Sequence, residues 1–380
     1  MPFAQEAFST IGETSAVEGR TITPSDVKDC EILAVRSTRK IDAELLEGSR
    51  VRFVGTATIG TDHLDIDYFN RRGIHWCSAA GCNANSVSEY IATALLYLAN
   101  RHNITLRGKT MGVIGVGNVG SKVVQKAKAL GMRVLQNDPP RQRLENNQNS
   151  DFCDLDTLLA QSDIVTLHVP ITKDGTDPTF HLADKKFFNK MRSGTIFMNA
   201  ARGAVVNSDD LIEAIDSGQI AHTVLDTWEG EPVIREDLLR RVDIATPHIA
   251  GHSFEGKVTG TVMVYQEACR FLGLEPSWSV EPLLPPPVVP EIFLEPSKYA
   301  SPEFIIWSAV TQVYDIIADD TALRAETADR KQLFDELRKK YPIRREFRFT
   351  TVEIKTNSSA ELESMLEGLG FTLRKATPHE

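Results

Sequence analysis

Residues 110–120 read TMGVIGVGNVG. The stretch opens on an apolar run that predicts a buried strand, and a segment with apolar residues at helical spacing follows it. Between them, Gly115, Gly117 and Gly120 form the pattern G-x-G-x-x-G. The first glycine permits a tight turn, the second lets the backbone approach a pyrophosphate, and the third lets the helix pack close to the strand. The stretch therefore predicts a dinucleotide-binding βαβ unit, with the pyrophosphate on the N-terminus of the helix.

An acidic residue stands where the next strand of this unit is predicted to end. Asp138 follows the β-rich run Arg133–Asn137, in LQNDPP. A carboxylate there accepts hydrogen bonds from the adenosine ribose and repels a 2′-phosphate, so the sequence predicts NAD rather than NADP. A glycine-rich turn followed by a surface aspartate is the alternative. Further candidate cofactor contacts are Asn118, Val119, Ala200, Asp226 and Gly251.

Short β-rich runs alternate with helical patterns through most of the chain. This alternation predicts parallel sheets covered by helices on both faces. We expect an α/β fold with two doubly wound, Rossmann-like domains and a small α+β C-terminal domain. The predicted strands are Glu31–Ser37, Val51–Ala57, Ile74–Cys77, Thr110–Gly115, Arg133–Asn137, Asp163–Val169, Thr195–Ala200, Thr223–Asp226, Asp243–Thr246, Thr351–Lys355 and Phe371–Arg374.

The expected domain boundaries rest on changes of pattern along the chain. A polar segment at 101–109 separates the two strand series, and the helical pattern at Glu255–Gly273 is expected to cross back to the first domain. The stretch EPLLPPPVVP has five prolines in ten residues and predicts a stiff, extended linker. The expected ranges are 1–100 with 256–280 for substrate binding, 101–255 for NAD binding, 281–290 for the linker and 291–380 for the C-terminal domain.

Three chemically active residues follow successive predicted strands. Arg202 lies in NAARGAVV, Glu231 in LDTWEGEP and His248 in TPHIAG. Open parallel sheets bind ligands at the carboxyl ends of their strands. Oxidation of a 2-hydroxy acid needs a base for the hydroxyl proton, which suits an imidazole. A neighbouring carboxylate stabilises the protonated ring, and a guanidinium binds the substrate carboxylate.

Each of these residues also has an ordinary structural interpretation. Arg202 alone fits a surface ion pair, Glu231 a solvated turn, and His248 a histidine satisfied by its surroundings. Their order behind a dinucleotide-binding motif favours the catalytic interpretation. The sequence therefore predicts an NAD-dependent dehydrogenase of small, anionic 2-hydroxy acids.

Composition excludes several other classes of protein. The formal net charge of −10 argues against nucleic acid as a partner. The cysteines form no C-x-x-C pair, which indicates neither a disulfide framework nor a zinc site; they are Cys30, Cys77, Cys82, Cys153 and Cys269. The opening segment lacks the pattern of a signal peptide, and the apolar stretch Ile91–Ala99 is shorter than the ~20 residues that span a bilayer. We expect a cytoplasmic enzyme with no membrane partner and no metal.

The motifs GVIGVGNVG, NAARGAVV, LDTWEGEP and TPHIAG resemble, in this order, those of the D-2-hydroxyacid dehydrogenase family. The resemblance covers residues from about 30 to 275. It implies two doubly wound domains with the active site in the cleft between them, and it maps the family's catalytic trio onto Arg202, Glu231 and His248.

Other motifs resemble more narrowly the family members that oxidise a phosphorylated four-carbon 2-hydroxy acid in pyridoxal phosphate biosynthesis. They are VRSTRK (35–40), FVGTATIGTDHLD (53–65), GCNANSV (81–87), DPPR (138–141) and FDELRKKYPIRRE (334–346). This resemblance implies a homodimer through the C-terminal domain and substrate contacts from Ser37 and Thr58. Arg36 is a further candidate because its positive charge suits a phosphate, and a structural strand-end arginine is the alternative.

The chain departs from this pattern at two places. His252 stands where the related sequences have tyrosine, and we expect it to contact the substrate anion in that position. The resemblance also implies a strand ahead of the segment that opens here at Met1. Either the start of the chain is misassigned, or the first domain has one strand fewer.

Two other functions stay open at this point. A phosphoglycerate or glycerate dehydrogenase has the same catalytic trio, and the C-terminal segment favours the phosphorylated four-carbon substrate. The same fold also serves as an NADH-sensing corepressor that binds peptides. Turnover of the phosphorylated substrate separates the three.

Overall fold

The computed structural model describes residues 1–145, 151–299, 301–355 and 359–375. In chain order, the strands are β1 (Ile32–Val35), β2 (Phe53–Thr56), β3 (His75–Ser78), β4 (Thr110–Ile114), β5 (Arg133–Asn137), β6 (Ile164–Leu167), β7 (Thr195–Asn199), β8 (Ile220–Leu225), β9 (Ile244–Ala245), β10 (Glu291–Leu294), β11 (Thr351–Ile354) and β12 (Thr372–Lys375).

The helices lie between these strands and after them. They are α1 (Ala4–Phe8), α2 (Pro24–Val27), α3 (Ala43–Leu46), α4 (Ile66–Arg72), α5 (Ala84–His102), α6 (Asn118–Ala129), α7 (Pro139–Leu144), α8 (Leu155–Gln161), α9 (Lys185–Lys190), α10 (Ser208–Asp216), α11 (Glu236–Leu239), α12 (Phe254–Leu272), α13 (Pro302–Val313), α14 (Ile316–Arg324), α15 (Arg330–Lys339) and α16 (Ala360–Leu369).

The chain divides into two compact units, which we call unit 1 (1–83 and 253–286) and unit 2 (84–252 and 287–380). Unit 1 contains a parallel sheet in the order β1-β2-β3. Helix α12 packs on β2 and β3, as the predicted return to the first domain requires. Close packing there depends on Gly260, because a Cβ at that residue would lie 2.9 Å from the carbonyl oxygen of Ala57.

Unit 2 is built on a six-stranded parallel sheet in the order β5-β4-β6-β7-β8-β9. Its central strands β4, β6 and β7 are buried along their whole length, which explains why they are continuous apolar runs in the sequence. Since all strands are parallel, the residues after β7, β8 and β9 share one edge of the sheet. The predicted α/β class with parallel sheets is confirmed.

The C-terminal residues form a second sheet of unit 2, in the order β10-β11-β12, also parallel. Apolar side chains from β10, β11 and α16 belong to the same buried cluster as those of α5 and α6. Helix α16 packs closely on α6, where Gly368 lies beneath Ala129. The C-terminal segment therefore shares a hydrophobic core with the six-stranded sheet.

The compact units do not follow the expected ranges. Helix α5 was expected in 1–100 and lies in unit 2, and residues 291–380 were expected as a separate domain and lie in unit 2 as well. The physical reason in both cases is the shared core of α5, α6 and the C-terminal segment. The assignment of substrate binding, NAD binding and dimerisation to the expected ranges stays a prediction. Among the described residues, no helix is both long enough and apolar enough to cross a membrane.

Candidate active site

The predicted catalytic residues all lie in unit 2, at the carboxyl edge of its six-stranded sheet. Arg202 comes three residues after β7, Glu231 lies in the loop after β8, and His248 comes three residues after β9. All three side chains are partly buried. The sheet thus brings together residues that the sequence separates by up to 46 positions.

Glu231 and His248 form a hydrogen-bonded pair. Nδ1 of His248 contacts Oε1 of Glu231, while Oε2 of Glu231 accepts a hydrogen bond of 3.0 Å from the backbone N–H of Trp228. With Nδ1–H donated to the carboxylate, Nε2 is the nitrogen that can take up a proton. Burial alone would raise the pKa of Glu231, but His248, the Trp228 N–H and the positive charge of Arg338 hold that pKa below its ordinary value. The pair therefore contains an ionised carboxylate at neutral pH.

The loop WEGEP offers two glutamates, and the structure gives them different partners. Oε1 of Glu229 lies 2.5 Å from Nε2 of His181, and its other oxygen accepts the backbone N–H of Ser208. Glu229 therefore joins its own loop to another part of unit 2, whereas Glu231 is the glutamate that contacts His248.

Asp226 holds the loop that carries His248. Its carboxylate is 1% exposed and accepts hydrogen bonds from the Thr246 hydroxyl and from the backbone N–H groups of Ile249 and Ala250. His248 itself has a left-handed backbone, with φ 55°. Burial raises the pKa of Asp226, while His248 and the three hydrogen bonds oppose that rise. The predicted contact of Asp226 with the cofactor stays a prediction; the contacts described here are with the loop.

Arg202 is positioned by the close approach of two loops. Gly203 follows it, and a Cβ at Gly203 would lie 2.0 Å from the backbone of Trp228, so only glycine fits there. The backbone oxygen of Arg202 accepts a hydrogen bond from the Asn199 side chain, and its Nη1 donates to the backbone oxygen of Ala201. These contacts fix the backbone of Arg202 beside the loop that carries Glu231.

The glycine loop fits a dinucleotide pyrophosphate. Gly115 has φ +84°, and a Cβ at Gly120 would lie 2.0 Å from the backbone oxygen of Gly115, so helix and turn are in direct contact. Gly117 is exposed and has open space around it, as the approach of a phosphate requires. Asn118 and Val119 open helix α6 directly after it. The loop therefore presents the first N–H groups of α6 to a ligand.

Asp138 stands at the end of β5, as predicted, and also stabilises this loop. Its Oδ2 accepts the backbone N–H of Val116 at 2.8 Å, and its Oδ1 accepts that of Arg141 at 3.0 Å. Each carboxylate oxygen has a second lone pair that suits a ribose hydroxyl. The residue therefore serves the loop whether or not it selects the cofactor.

The expected substrate contacts are divided between the two units. Ser37 is exposed directly after β1, next to the half-buried Arg36. Thr58 follows β2, and its hydroxyl lies 2.8 Å from that of Thr56 and donates to the backbone oxygen of Gly60. His252 lies in unit 2, four residues after His248, with its ring edge-on to Tyr341 at 5.7 Å. Ala200 and Gly251 lie beside Arg202 and His252 respectively.

Comparison with known proteins agrees with this geometry. Residues 93–250 match the family described as D-isomer specific 2-hydroxyacid dehydrogenase, NAD binding domain, and residues 283–370 match a domain of unknown function, DUF3410. An erythronate-4-phosphate dehydrogenase of Azotobacter vinelandii is 43% identical over 374 residues, covering 97% of each chain. That of Edwardsiella ictaluri is also 43% identical, covering 99% of this chain and 98% of the relative.

The chain belongs to the erythronate-4-phosphate dehydrogenases of the D-2-hydroxyacid dehydrogenase family. A crystal structure of D-lactate dehydrogenase from Aquifex aeolicus, complexed with NAD and lactic acid, is 27% identical with a TM-score of 0.58, and it covers 72% of this chain and 92% of that one. The predictions of NAD as the cofactor and of an NAD-dependent 2-hydroxyacid dehydrogenase are confirmed. The roles of the individual site residues stay predictions.

The sequence analysis did not predict that Arg344 of the C-terminal segment contacts the loop that carries His248. Nη2 of Arg344 donates to the backbone oxygen of Ala250 at 2.8 Å, so the C-terminal segment holds the His248 loop from a second side. Arg344 is fully buried, with its guanidinium 4.1 Å from the ring centre of Tyr314. The motif YPIRRE gave no signal for this contact, because adjacent charged residues are usually solvated. Only the tertiary structure shows which loop the arginine reaches.

Proposed function

We propose that this chain oxidises 4-phospho-D-erythronate to (R)-3-hydroxy-2-oxo-4-phosphooxybutanoate with NAD. The observation that carries the proposal is the hydrogen-bonded pair of His248 and Glu231 at the carboxyl edge of an NAD-binding domain. The substrate follows from full-length likeness to erythronate-4-phosphate dehydrogenases at 43% identity.

The residues divide the chemistry among them. NAD, when bound, accepts the hydride that leaves carbon 2 of the substrate. Nε2 of His248 takes the proton of the 2-hydroxyl, so that the carbon–oxygen double bond forms as hydride and proton leave. Glu231 stabilises the imidazolium through Nδ1. Arg202 binds the substrate carboxylate and polarises the neighbouring oxygen.

The remaining polar groups serve the rest of the substrate anion in this proposal. Ser37, Thr58 and Arg36 of unit 1 and His252 of unit 2 contact the hydroxyls and the phosphate. The cofactor contacts are the backbone and side chains of Gly115, Gly117, Asn118, Val119, Gly120, Asp138, Ala200, Asp226 and Gly251.

Steady-state kinetics with purified protein tests the substrate. NADH formation is followed with 4-phosphoerythronate, 3-phosphoglycerate and D-glycerate at equal concentrations. We expect the highest kcat/KM for 4-phosphoerythronate and a loss of roughly 10²–10⁴-fold in kcat for His248→Ala. A higher kcat/KM for 3-phosphoglycerate or glycerate would assign the chain to another reaction of the family. NADH binding without turnover of any of the three would favour the corepressor alternative.

Growth of bacteria tests the biosynthetic role. A strain without its own 4-phosphoerythronate dehydrogenase requires pyridoxine, and expression of the wild-type chain should restore growth without it. The His248→Ala variant, expressed to the same level, should not. We place this reaction in the cytoplasm, where the five free thiols of the chain stay reduced.

We also propose that the chain acts as a homodimer through its C-terminal segment. Three apolar side chains of that segment and of the preceding linker are strongly exposed: Val288 at 79%, Ile343 at 56% and Phe293 at 54%. Phe293 lies on β10, an edge strand of the C-terminal sheet. Exposed apolar side chains at a sheet edge favour burial against a second copy, and two-fold pairs are the commonest homo-oligomers.

Light scattering of point variants tests the assembly. Phe293→Asp and Ile343→Asp should shift the mass of the wild-type dimer to that of a monomer. Leu144→Asp is the matched control, because Leu144 is 83% exposed and lies on α7, outside the C-terminal segment. A wild-type monomer, or a dimer that both variants leave intact, would contradict this interface.

A further inference from the structure

Two histidines and an aspartate meet at the edge of the six-stranded sheet opposite the active site. His102 is the last residue of α5, His222 lies near the start of β8, and Asp243 directly precedes β9. The catalytic residues follow the other ends of these strands. Asp226 comes four positions after His222 along β8 and its end, so at about 3.3 Å per residue the two places are roughly 13 Å apart.

The donor atoms of the three side chains converge. Oδ1 of Asp243 lies 3.0 Å from Nδ1 of His222 and 3.8 Å from Nε2 of His102, and all three atoms lie within 4.8 Å of one another. The backbone N–H of Thr223 donates to Oδ2 of Asp243 at 2.8 Å, so the aspartate is held with Oδ1 facing both histidines. The side chains are 30%, 18% and 24% exposed for His102, His222 and Asp243, which leaves the cluster open to ions from solvent.

This arrangement has the dimensions of a transition-metal site. Zinc binds imidazole nitrogen and carboxylate oxygen at about 2.0–2.2 Å, so donors around a tetrahedral ion lie about 3.3 Å apart. The separations of 3.0 and 3.8 Å bracket that value. The two imidazole rings are tilted by 33° with centroids 3.9 Å apart, closer than two rings on one ion. The exposed ring at the end of α5 must therefore tilt away slightly when an ion binds.

We propose that His102, His222 and Asp243 bind one Zn²⁺ ion, with solvent completing its coordination. Two imidazoles and one carboxylate form a donor set that suits zinc better than Mg²⁺ or Ca²⁺, which prefer oxygen ligands. The ion would join the end of α5 to the starts of β8 and β9. Because these elements belong to one compact unit, the ion stabilises that unit. It lies at the opposite end of β8 from the proposed catalytic residues and takes no part in the reaction.

Zinc binding to the tag-free protein, stripped with EDTA and dialysed, tests the proposal. Isothermal titration with ZnCl₂ gives the number of sites and their affinity, and Co²⁺ absorption reports whether nitrogen and oxygen donors surround the ion tetrahedrally. The test variant is His102→Phe, which keeps an aromatic ring against His222 and removes the donor nitrogen at an exposed position. The matched control is His75→Phe, since His75 pairs with Glu267 at 3.3 Å and the described residues add no third donor there.

The site predicts one zinc ion per chain in wild type and in His75→Phe. His102→Phe should bind that ion at least 10–100-fold more weakly, the range known for loss of even an outer partner of a metal ligand. Zinc should raise the melting temperature of wild type and leave that of His102→Phe unchanged. Absence of zinc binding in wild type, or equal affinity in wild type and His102→Phe, would overturn the proposal. Neither result bears on turnover of 4-phosphoerythronate.

Discussion

At the residue scale, the proposed proton transfer depends on the contact between Glu231 and His248. The carboxylate takes the Nδ1 proton and is itself anchored by the Trp228 backbone, so the ring orientation is fixed. Because the pKa of Glu231 lies below its ordinary value, the carboxylate stays ionised wherever the enzyme works. Its negative charge favours the imidazolium that forms during oxidation.

Glu231→Gln should therefore shift the pH dependence of both directions of the reaction. Oxidation needs neutral imidazole, so its acid limb should move to lower pH when the charge is removed. Reduction of the keto acid needs imidazolium and should lose activity at lower pH than in wild type. The measurement is kcat/KM against pH in both directions. Glu229→Gln is the control. Glu229 lies two residues before Glu231, and its carboxylate contacts His181 instead of His248. If the pH profiles of kcat/KM for Glu231→Gln equal those of wild type, Glu231 does not influence proton transfer by His248.

Asp138 is proposed to select NAD and also holds the glycine loop, so its test needs two substitutions. Asp138→Asn keeps an acceptor oxygen and removes the charge, while Asp138→Ala removes both. We expect each to lower the preference for NAD over NADP by about 10–100-fold, the value of a charge-assisted hydrogen bond of about 1.5–3 kcal/mol. Both should also lower the melting temperature, and Asp138→Ala more so. Asparagine keeps an acceptor for only one of the backbone N–H groups of Val116 and Arg141, whereas alanine keeps none. The ratio of kcat/KM for NAD to that for NADP shows whether Asp138 sets the cofactor preference. Asp154→Asn, at the N-terminus of α8, is the control.

The sequence was sufficient to predict the candidate trio and insufficient to predict its supports. Arg202, Glu231 and His248 were recognisable because each follows a β-rich run in a chain with a dinucleotide motif. The role of Asp226 as an anchor for the His248 loop depends on three hydrogen bonds made after folding. Residue type and spacing contain no information about such partners.

At the scale of elements, burial explains which predictions succeeded. Strands buried along their whole length, such as β4 and β7, agree with the predicted runs to within a residue, because a continuous apolar run has few other uses. Helices α13 and α14 were missed, although Ser301 before Pro302 is a helix start signal and caps α13 through the N–H of Phe304. The predicted linker ended at Pro290, and no helix was assigned to the part of the C-terminal domain that forms α13 and α14.

His168, directly after β6, is expected to make the free energy of unfolding depend on pH. His168 follows this strand, is partly buried, and has its Nε2 2.9 Å from the Thr166 hydroxyl. Burial lowers the pKa of His168 to about 3. Between pH 6.5 and 3 the unfolded chain therefore binds a proton that the folded chain does not, and the free energy of unfolding falls as pH falls, by at most about 1.4 kcal/mol per unit from this residue.

His168→Gln should remove that contribution while keeping a partner for Thr166. The measurement is urea unfolding at several values between pH 6.5 and 5, where most carboxylates stay ionised. We expect a shallower fall in the free energy of unfolding for His168→Gln than for wild type. The same substitution at His75, a half-exposed residue, is the control. Equal slopes for wild type and His168→Gln would mean that His168 does not bind its proton on unfolding.

At the scale of the whole molecule, the unexpected feature is the shared core of unit 2. Nζ of Lys126 on α6 donates to the backbone oxygen of Leu369 at 2.6 Å, and Glu89 on α5 accepts the backbone N–H of Phe347. Burial and the neighbouring Glu346 raise the pKa of Glu89 to about 8, which shows how completely the C-terminal segment covers this carboxyl. These contacts join residues more than 200 positions apart, and composition and periodicity describe only local sequence.

A chain that ends at Pro290 should therefore fail to fold rather than form a stable monomer. Truncation would expose the apolar faces of α5 and α6 and would leave Lys126 and Glu89 without their buried partners. We expect loss of the cooperative thermal transition and of NAD binding. Phe293→Asp should instead keep both, because its side chain is 54% exposed and contributes little to the core. A soluble, NAD-binding monomer ending at Pro290 would show that the C-terminal segment is dispensable for the fold of unit 2.

Gly368→Val tests the same core without deleting any of it. A Cβ at Gly368 would lie 2.4 Å from the Cβ of Ala129, so valine must push α16 away from α6. Overpacking of this kind typically costs about 1–3 kcal/mol of the free energy of unfolding. Gly12→Val is the control, since nothing lies within 4 Å of a Cβ at Gly12. If α16 belongs to the core of unit 2, Gly368→Val lowers the melting temperature of the whole unit in one transition. A separate, earlier transition would instead mean that the C-terminal segment unfolds as a domain of its own.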